Sequence, residues 1–407
     1  MKYLFLSGLY PKEDERFFVE NSKSGSLQNA PNVFQWNVVD GLFKNDIDFW
    51  VLSAPFVASF PRGFKSLMMP EFLLNYKDKA IGKTIRFCNL IGFKETSIAR
   101  HLEKEIYSWI NENSIGRHDK FVLLSYTPLA FFVNAIKRIK KKYPNVIACT
   151  IVTDLIEDAQ NFKVNQNLLK RIQIAFEKVA ERDNFKIIDK FVLLSKAMVE
   201  RIPEANNRSF IVEGISNVYG DLPRVPKNSS IKSLLYTGSL HEFSGIRDLV
   251  LAFRKTNNEN YRLIICGLGA CESFIKKEAE QDTRIVFLGN LKREDALKEQ
   301  YRATALINPR SPIEEITKYS FPSKTMEYLS SGTPMIGYHL PGIPEEYYSF
   351  FFSPKDLSVD ELARTIDNVL SMDERLLREK GERAFIFIRD KKNSKEQVGK
   401  IISFLEK

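Results

Sequence analysis

The sequence predicts an α/β protein with two doubly wound domains, each built on a parallel sheet that helices cover on both faces. Three observations predict this. The chain has 407 residues, which is too long for one ordinary core. Short, continuously apolar segments alternate with helical patterns, as in parallel sheets. The alternation stops at a polar stretch with two prolines, residues 220–230, and then starts again.

The first domain is expected over residues 1–220 and the second over 221–390. Strands of the first are predicted at 2–9, 47–54, 120–126, 145–152, 190–195 and 209–214, with helices near 32–45, 97–114, 127–142 and 165–184. Strands of the second are predicted at 232–238, 261–269, 284–290, 304–309 and 333–338, with a weak one at 347–353 and a helix near 245–255. Amphipathic helices follow from about 373, and the last, near 390–407, is expected to pack back on the first domain.

The composition is that of a soluble globular protein, with 44% apolar and 27% charged residues. No apolar run approaches the roughly 20 residues that span a bilayer. The first residues are interpreted as a strand rather than a signal peptide. Four scattered cysteines (Cys88, Cys149, Cys266 and Cys271) and four histidines show no metal-ligand spacing. A reducing, cytoplasmic location without a structural disulfide or metal is therefore expected.

Part of the net charge of +9 is concentrated in residues 55–100, which contain eight basic residues, three acidic residues and many apolar ones. One interpretation is an irregular, solvated surface over core residues. The other is a basic, aromatic-rich surface that lies on an anionic bilayer, which would make the protein peripheral to the inner face of the plasma membrane. The basic cluster at 137–142 is interpreted as the end of a helix, so no nucleic-acid partner is expected.

Candidate ligand-binding loops follow the strands of the second domain, because ligands of open parallel sheets bind outside the carboxyl ends of the strands. For any one of these loops alone, a tight turn made for packing is the preferred interpretation. Together they supply these candidates: Gly238 and Ser239, Gly267 and Gly269, Asn290 and Leu291, and Arg310.

The strongest local signal is a short helix that begins at Pro322 and ends before Gly332. We expect Ser323 to cap it and the backbone amides around Ser323, Lys324 and Thr325 to form a phosphate site with the lysine. Glu327 lies one turn deeper, where its carboxylate can accept hydrogen bonds from ribose hydroxyls. The alternative for Glu327 is a solvated first-turn carboxylate.

Several of these motifs carry a resemblance to a known family. They are YTGSL at 236–240, CGLG at 266–269, VFLGNL at 286–291, INPR at 307–310, and FPSKTMEYLSSGTPMI at 321–336 followed by LPGIPEE at 340–346. The C-terminal half resembles glycosyltransferase family 4, and more narrowly its bacterial capsule and exopolysaccharide branch. The resemblance implies the GT-B architecture, two Rossmann-like domains facing a central cleft. It also implies a nucleotide-sugar donor on the second domain, an acceptor on the first, and retention of configuration without a required metal or other cofactor.

Carried over by position, Glu327 matches the second glutamate of the family's Glu-x7-Glu motif, and Tyr319 stands where the first is expected. Glu315 or Glu314 is a candidate replacement for that carboxylate. The family's basic pair after the first strand corresponds roughly to Ser239 and Ser244. Arg310 and Lys324 are therefore the catalytic candidates that balance the donor diphosphate.

On the acceptor side, Asp154 follows a strand of the first domain and is a candidate sugar ligand or base, with a helix cap as the alternative. Glu213 is expected to line the cleft. Residues 314–319 and the loop 339–342 are candidate contacts to the donor sugar, whereas packing or exposure is the preferred interpretation of His241.

The resemblance therefore implies a retaining glycosyltransferase that moves a sugar from a nucleotide donor, taken to be UDP-linked, to a polyprenyl-diphosphate-linked oligosaccharide. A soluble nucleotide-sugar epimerase or sugar-phosphate synthase is a second possibility. A third is a catalytically idle nucleotide-sugar-binding or scaffold subunit, which Tyr319 and the missing basic pair favour.

Overall fold

The computed structural model describes residues 1–23, 29–153, 155, 183–218, 230–313 and 315–407. They divide into two compact units: an N-terminal unit of 1–215 with 394–407, and a C-terminal unit of 216–393. The predicted linker at 220–230 and the predicted helix near 165–184 lie almost entirely outside the described residues. The fold class predicted from the sequence, two α/β domains with parallel sheets, is confirmed.

The N-terminal unit is built on a sheet that, within the described residues, has the strand order β10-β9-β8-β7-β1-β2-β5-β4. All neighbours are parallel except β4 and β5. The strands are β1 (Lys2–Ser7), β2 (Asp48–Ser53), β4 (Leu73–Tyr76), β5 (Lys79–Thr84), β7 (Phe121–Tyr126), β8 (Ile147–Val152), β9 (Lys190–Leu193) and β10 (Ser209–Ile211). The central strands read as apolar runs because both faces are covered, and every residue of β7 is buried.

Helices of the same unit are α1 (Glu15–Asn21), α2 (Asn29–Lys44), α3 (Lys94–Glu112) and α4 (Ala130–Lys142), with 3₁₀ turns at Lys196–Glu200 and Pro203–Ala205. The chain also returns to this unit with α12 (Ser394–Leu405), which packs along α2. The two helices approach closely at Gly41, where a Cβ atom would lie 2.3 Å from the Val398 side chain. The Asp40 carboxylate accepts a hydrogen bond from the Ser394 hydroxyl at the same contact.

The segment 55–100 contains four short strands and the start of α3, joined by turns and irregular stretches. β4 and β5 form a hairpin at the edge of the sheet, and β3 (Met68–Met69) pairs with β6 (Phe87–Cys88). Phe64 and Met69 are core residues. Five apolar side chains remain exposed and are here called the apolar surface: Leu67, Met68, Leu73, Ile91 and Phe93.

The C-terminal unit has a sheet with the order β13-β12-β11-β14-β15-β16, all parallel. The strands are β11 (Lys232–Thr237), β12 (Tyr261–Cys266), β13 (Ile285–Gly289), β14 (Ala305–Asn308), β15 (Met335–Gly337) and β16 (Phe351–Phe352). Counted within the unit the order is 3-2-1-4-5-6, that of a Rossmann fold, whose crevice lies between the first and fourth strands. The predicted strand at 347–353 is mostly wrong, since Glu345–Phe350 is a 3₁₀ helix.

The helices of this unit are α5 (Ile246–Arg254), α6 (Glu272–Gln281), α7 (Arg293–Arg302), α8 (Ile316–Tyr319), α9 (Ser323–Ser330), α10 (Val359–Leu370) and α11 (Glu374–Lys391), with a 3₁₀ turn at Glu242–Ser244. Among the residues that the structure describes, no helix is both long and apolar enough to cross a membrane.

Candidate active site in the C-terminal unit

The candidate site lies where the order of the C-terminal sheet reverses, between β11 and β14. The loop after β11 carries Gly238 and Ser239, the loop after β14 carries Arg310, and α9 begins nearby with Ser323 and Lys324. A switch point leaves a crevice because the two neighbouring crossover connections run to opposite faces of the sheet.

Lys324 is the side chain that ties these elements together. Its Nζ donates a hydrogen bond of 2.7 Å to Tyr236 Oη and lies 3.9 Å from the centre of the tyrosine ring. Tyr236 is completely buried, and its hydroxyl donates to the carbonyl of Ser239 at 2.7 Å. The ammonium is therefore held in one place by a buried ring and by the backbone of the loop after β11.

The pKa of Lys324 is lowered from its usual value to about 7. Burial is the main cause, the carboxylate of Glu327 opposes it, and the positive charge of Arg310 adds to it. Burial also raises the pKa of Tyr236 to about 12, so this phenol stays protonated. A poorly hydrated ammonium beside a second cation interacts strongly with an anion that enters the crevice.

Gly238 makes room for this lysine. A Cβ atom at Gly238 would lie 2.1 Å from both Cε and Nζ of Lys324. Gly267 and Gly269 have a related role one strand further on, because their Cβ atoms would lie 1.7 Å from the Gly238 carbonyl oxygen and 2.4 Å from that of Leu240. In this structure these glycines allow neighbouring loops and the lysine to pack closely.

Arg310 is half-buried beside the same crevice. Its guanidinium carbon lies 5.8 Å from the ring centre of Phe243, which belongs to the loop after β11. A Cβ atom at Gly245 would lie 2.1 Å from the Pro309 carbonyl oxygen, so the loops after β11 and β14 are in backbone contact. The two predicted cations, Arg310 and Lys324, are thus brought together, although they lie on different elements.

Glu327 lies on α9 with about a third of its side chain exposed. Its Oε1 accepts a hydrogen bond of 2.7 Å from Gln300 Nε2, and its Oε2 is 3.8 Å from Arg293 Nη1. Both partners lie on α7. The carboxylate is therefore oriented by a second helix and is not only a solvated first-turn group.

The start of α9 differs in detail from the prediction. Pro322 is the N-cap residue, so Ser323 occupies the first helical position and is exposed; the prediction that Ser323 caps the helix is wrong. The Thr325 amide donates to the Pro322 carbonyl at 2.9 Å, and its side chain is completely buried. An anion at this helix would therefore meet the amides of Ser323 and Lys324 rather than that of Thr325.

The other predicted residues of the C-terminal unit include Ser239, Asn290 and Leu291. Ser239 is exposed, and its Oγ lies 3.3 Å from Oγ of the buried Ser244. Asn290 is exposed and Leu291 is partly buried; both lead into α7, the helix that contacts Glu327.

Tyr319, at the position expected for the first glutamate, is buried at the end of α8. Glu315 is exposed just before α8, and Glu314 lies outside the described residues. His339 stacks on the ring of Tyr348, with the ring centres 3.9 Å apart. Among the described residues, Glu315 therefore stays the candidate for the carboxylate that Tyr319 does not supply.

The acceptor-side candidates lie in the other unit. Asp154, with Glu157 and Asp158 after it, falls outside the described residues. Glu213 is buried near the end of the N-terminal unit. His241 is exposed and stacks on Phe243 with ring centres 5.4 Å apart, as the preference for packing or exposure anticipated.

Three residues that position the site were not singled out from the sequence: Tyr236, Gln300 and Arg293. Tyr236 stood in a quoted motif, but nothing in the sequence links it to a lysine 88 positions later. Gln300 is almost completely buried on a charged helix, and an amide on the apolar stripe of such a helix is the signal that could have identified it.

The fold and the site together define a class: a Rossmann-like nucleotide-binding domain with a cationic crevice at its switch point. Residues 231–372 match the model of a family described as "Glycosyl transferases group 1". The C-terminal unit therefore carries a group 1 glycosyltransferase domain, and the chain is a glycosyltransferase enzyme. No curated protein sequence matches the chain.

Solved structures that share the fold have low sequence identity to this chain. One is a glycosyltransferase from Rickettsia africae ESF-5 (TM-score 0.64, 13% identity, 100% of this chain and 98% of that chain). A second is Anabaena Alr3699/HepE in complex with UDP (TM-score 0.60, 11% identity, 100% of both chains). A third is a mutant of S. aureus TarM in complex with UDP (TM-score 0.54, 14% identity, 86% of this chain and 66% of that chain). These likenesses establish the GT-B fold.

Proposed function

We propose that this glycosyltransferase is a retaining, family 4-type enzyme that moves one sugar from a nucleotide-sugar to a lipid-linked glycan. We take the donor to be UDP-linked and the acceptor to be a polyprenyl-diphosphate-linked oligosaccharide of capsule or exopolysaccharide synthesis. The observation that carries the proposal is Lys324, held against Tyr236 and beneath Gly238 at the switch point. Two of the compared structures contain UDP, which supports the choice of nucleotide.

The proposed chemistry follows from where charge develops. As the anomeric C–O bond breaks, negative charge collects on the leaving nucleoside diphosphate and the sugar becomes oxocarbenium-like. Lys324, Arg310 and the amides at the start of α9 would stabilise that charge more strongly in the transition state than in the ground state. Because cations of the chain can balance the diphosphate, we propose that transfer needs no divalent metal and persists in EDTA.

In the same proposal Glu327 binds the ribose hydroxyls, because Gln300 and Arg293 hold its carboxylate in place. This contact does not change during the reaction, so it contributes equally to ground-state and transition-state binding. We propose that Asp154, which lies outside the described residues, acts on the acceptor side.

Glu327→Ala tests the donor site. We expect this variant to raise KM for the nucleotide-sugar about tenfold with a smaller change in kcat, because a charge-assisted hydrogen bond to the ribose is lost. The donor is first chosen as the nucleotide-sugar that most raises the melting temperature of the wild type. Transfer to a short-chain polyprenyl-diphosphate-linked sugar is then measured.

The matched control is Glu280→Ala, an exposed glutamate on α6. An unchanged KM in Glu327→Ala would remove the ribose role. Failure of every nucleotide-sugar to bind the wild type would overturn the proposed function itself. Transfer to a soluble sugar phosphate, with none to the lipid acceptor, would replace the acceptor class.

We also propose that the apolar surface (Leu67, Met68, Leu73, Ile91 and Phe93) lies on an anionic bilayer on the cytoplasmic side. These side chains are between 42% and 65% exposed and belong to the basic segment 55–100. Proteins that bind the surface of an anionic bilayer usually combine apolar side chains that enter the head-group region with basic side chains around them.

A double reversal, Lys65→Glu with Arg86→Glu, is expected to lower binding to vesicles containing phosphatidylglycerol at least about tenfold, because each basic residue near the surface contributes roughly 1 kcal/mol. Co-sedimentation measures it. Lys277→Glu with Lys391→Glu, two exposed lysines of the C-terminal unit, is the charge-matched control. Equal binding by the two double variants would contradict the assignment of this surface.

A further inference from the structure

A pocket of about 790 Å³ lies at the carboxyl edge of the N-terminal sheet. Its walls include Ala54–Ala58, which follow β2, and Leu129, which follows β7. Strand β1 lies between β2 and β7. The chain passes from β1 to β2 on one side of it and later returns to form β7 on the other side, so the direction of strand addition reverses at β1. The pocket is therefore at the switch point of this sheet, the place where open α/β sheets bind ligands.

The electrostatic character of this pocket is strongly positive. Lys23, Arg62 and Lys94 line it, and none of its lining residues is acidic. In the part of the chain that the structure describes, none of these three cations forms an ion pair. The Lys94 ammonium donates to the Val57 carbonyl oxygen in the pocket wall, and burial lowers its pKa. Three cations around one pocket, with no acidic residue in its lining, favour an anionic occupant.

The rest of the lining is apolar except for Ser22. Three aromatic residues contribute to it: Phe56, Phe64 and Phe131. A glycan bound here would leave most of its hydroxyl groups without hydrogen-bond partners, which is costly. The pocket instead fits a ligand that joins a compact anion to a hydrocarbon chain.

The backbone next to the pocket adds two observations. Thr127, which follows β7, has a φ of 64°, an uncommon conformation for a β-branched residue. Residues 62–64 of the lining are followed along the chain by Leu67 and Met68, and Lys94 is preceded by Ile91 and Phe93. Both segments that supply cations to the pocket thus continue into the apolar surface.

We propose that this pocket is the acceptor's lipid subsite: Arg62, Lys94 and Lys23 bind the phosphate or diphosphate ester, and the aromatic wall takes the first units of its prenyl chain. The inference rests on the proposed function and deepens it, because it assigns recognition of the acceptor to its lipid-phosphate end. In this arrangement the glycan of the acceptor lies outside the pocket.

Equilibrium binding of farnesyl diphosphate, a short soluble prenyl diphosphate, tests the proposal on the full-length protein without donor. We expect Arg62→Gln to weaken binding about tenfold and Lys94→Met to weaken it further, since each removes a charge-assisted hydrogen bond. Arg117→Gln, at an exposed arginine of the same unit that does not line the pocket, should bind like the wild type. Arg62 is itself exposed, so its substitution should leave the fold intact.

Inorganic pyrophosphate, farnesol and glucose 6-phosphate separate the possible ligands. The proposal requires that each binds more weakly than farnesyl diphosphate, because each lacks the anion or the chain. Equal affinity of Arg62→Gln and Arg117→Gln overturns the proposal. Binding of pyrophosphate, farnesol or glucose 6-phosphate as tight as that of farnesyl diphosphate also overturns it. Thermal stabilisation by the nucleotide-sugar, measured on the same samples, reports the donor site separately, so a failure here is distinguishable from a failure of the proposed function.

Discussion

Lys324→Met is expected to lower kcat by about 10²–10³-fold, the usual effect of removing one group that stabilises a developing anion. It is also expected to raise stability at neutral pH. The pKa of Lys324 falls from 10.5 in the unfolded chain to about 7 in the folded protein, so the unfolded state binds more protons between these values. The buried lysine therefore lowers the free energy of unfolding. This loss of stability is complete below pH 7 and becomes smaller as the pH rises towards 10.5.

This combination separates a functional role from misfolding. Thermal melts at pH 6 and pH 10 should show the variant more stable than the wild type at pH 6, with a smaller difference at pH 10. Lys277→Met, at an exposed lysine of the same unit, should change neither turnover nor this pH dependence. A Lys324→Met enzyme that turns over at the wild-type rate would remove the lysine from the mechanism.

The same pKa sets the pH dependence of donor binding. The pKa of Lys324 is about 7 in the structure without donor. A diphosphate bound against this lysine, as proposed, would raise that pKa, so above about pH 7 binding would take up a proton and affinity should fall by up to tenfold per pH unit. Calorimetry from pH 6.5 to 8.5 measures this with a nucleotide-sugar, whose diphosphate does not titrate in that range. The slope should be absent in Lys324→Met, and a flat wild-type profile would contradict the lysine–diphosphate contact.

Gly238→Ala is expected to lower kcat/KM at least about 100-fold, because its methyl group would occupy the position of the Lys324 ammonium. Gly92→Ala is the control. That glycine also has a positive φ, 83°, but no atom lies within 4 Å of its Cβ position, and it belongs to the other unit. Donor affinity should be normal in the control.

A double-mutant cycle sharpens the test of Gly238. If the glycine acts by housing the lysine, then Gly238→Ala should do little further damage to kcat in the Lys324→Met background. Additive losses would mean that Gly238 acts independently, for example through the conformation of the loop after β11.

The alternation of strands and helices was readable from the sequence because buried parallel strands are continuous apolar runs, such as β7 and β12. The hairpin β4–β5 was not. Its two-residue turn is Lys77-Asp78, with φ of 48° and 61°, where Asn-Gly is the recognisable pair. Its strands are also short and half polar, which hides their period.

The candidate site was readable to a similar extent. Strand-end loops and the start of α9 could be found because they are local features with turn and helix signals. The contacts that give the site its electrostatic character are not local. Tyr236 meets Lys324 only after the sheet has assembled, and Gln300 meets Glu327 from a different helix. Sequence reasoning could name the lysine but not its depressed pKa, which is a consequence of burial.

The helix α12 has a consequence for the order in which the protein folds on the ribosome. It follows the entire C-terminal unit in the chain, yet it covers α2 of the N-terminal unit through contacts such as Gly41–Val398 and Asp40–Ser394. During synthesis the N-terminal unit therefore emerges with one face of α2 uncovered, and that face stays exposed while about 180 further residues are translated. The N-terminal unit therefore cannot be completed until α12 has been synthesised, after the whole C-terminal unit. The two units cannot finish folding in the order in which they occur in the chain.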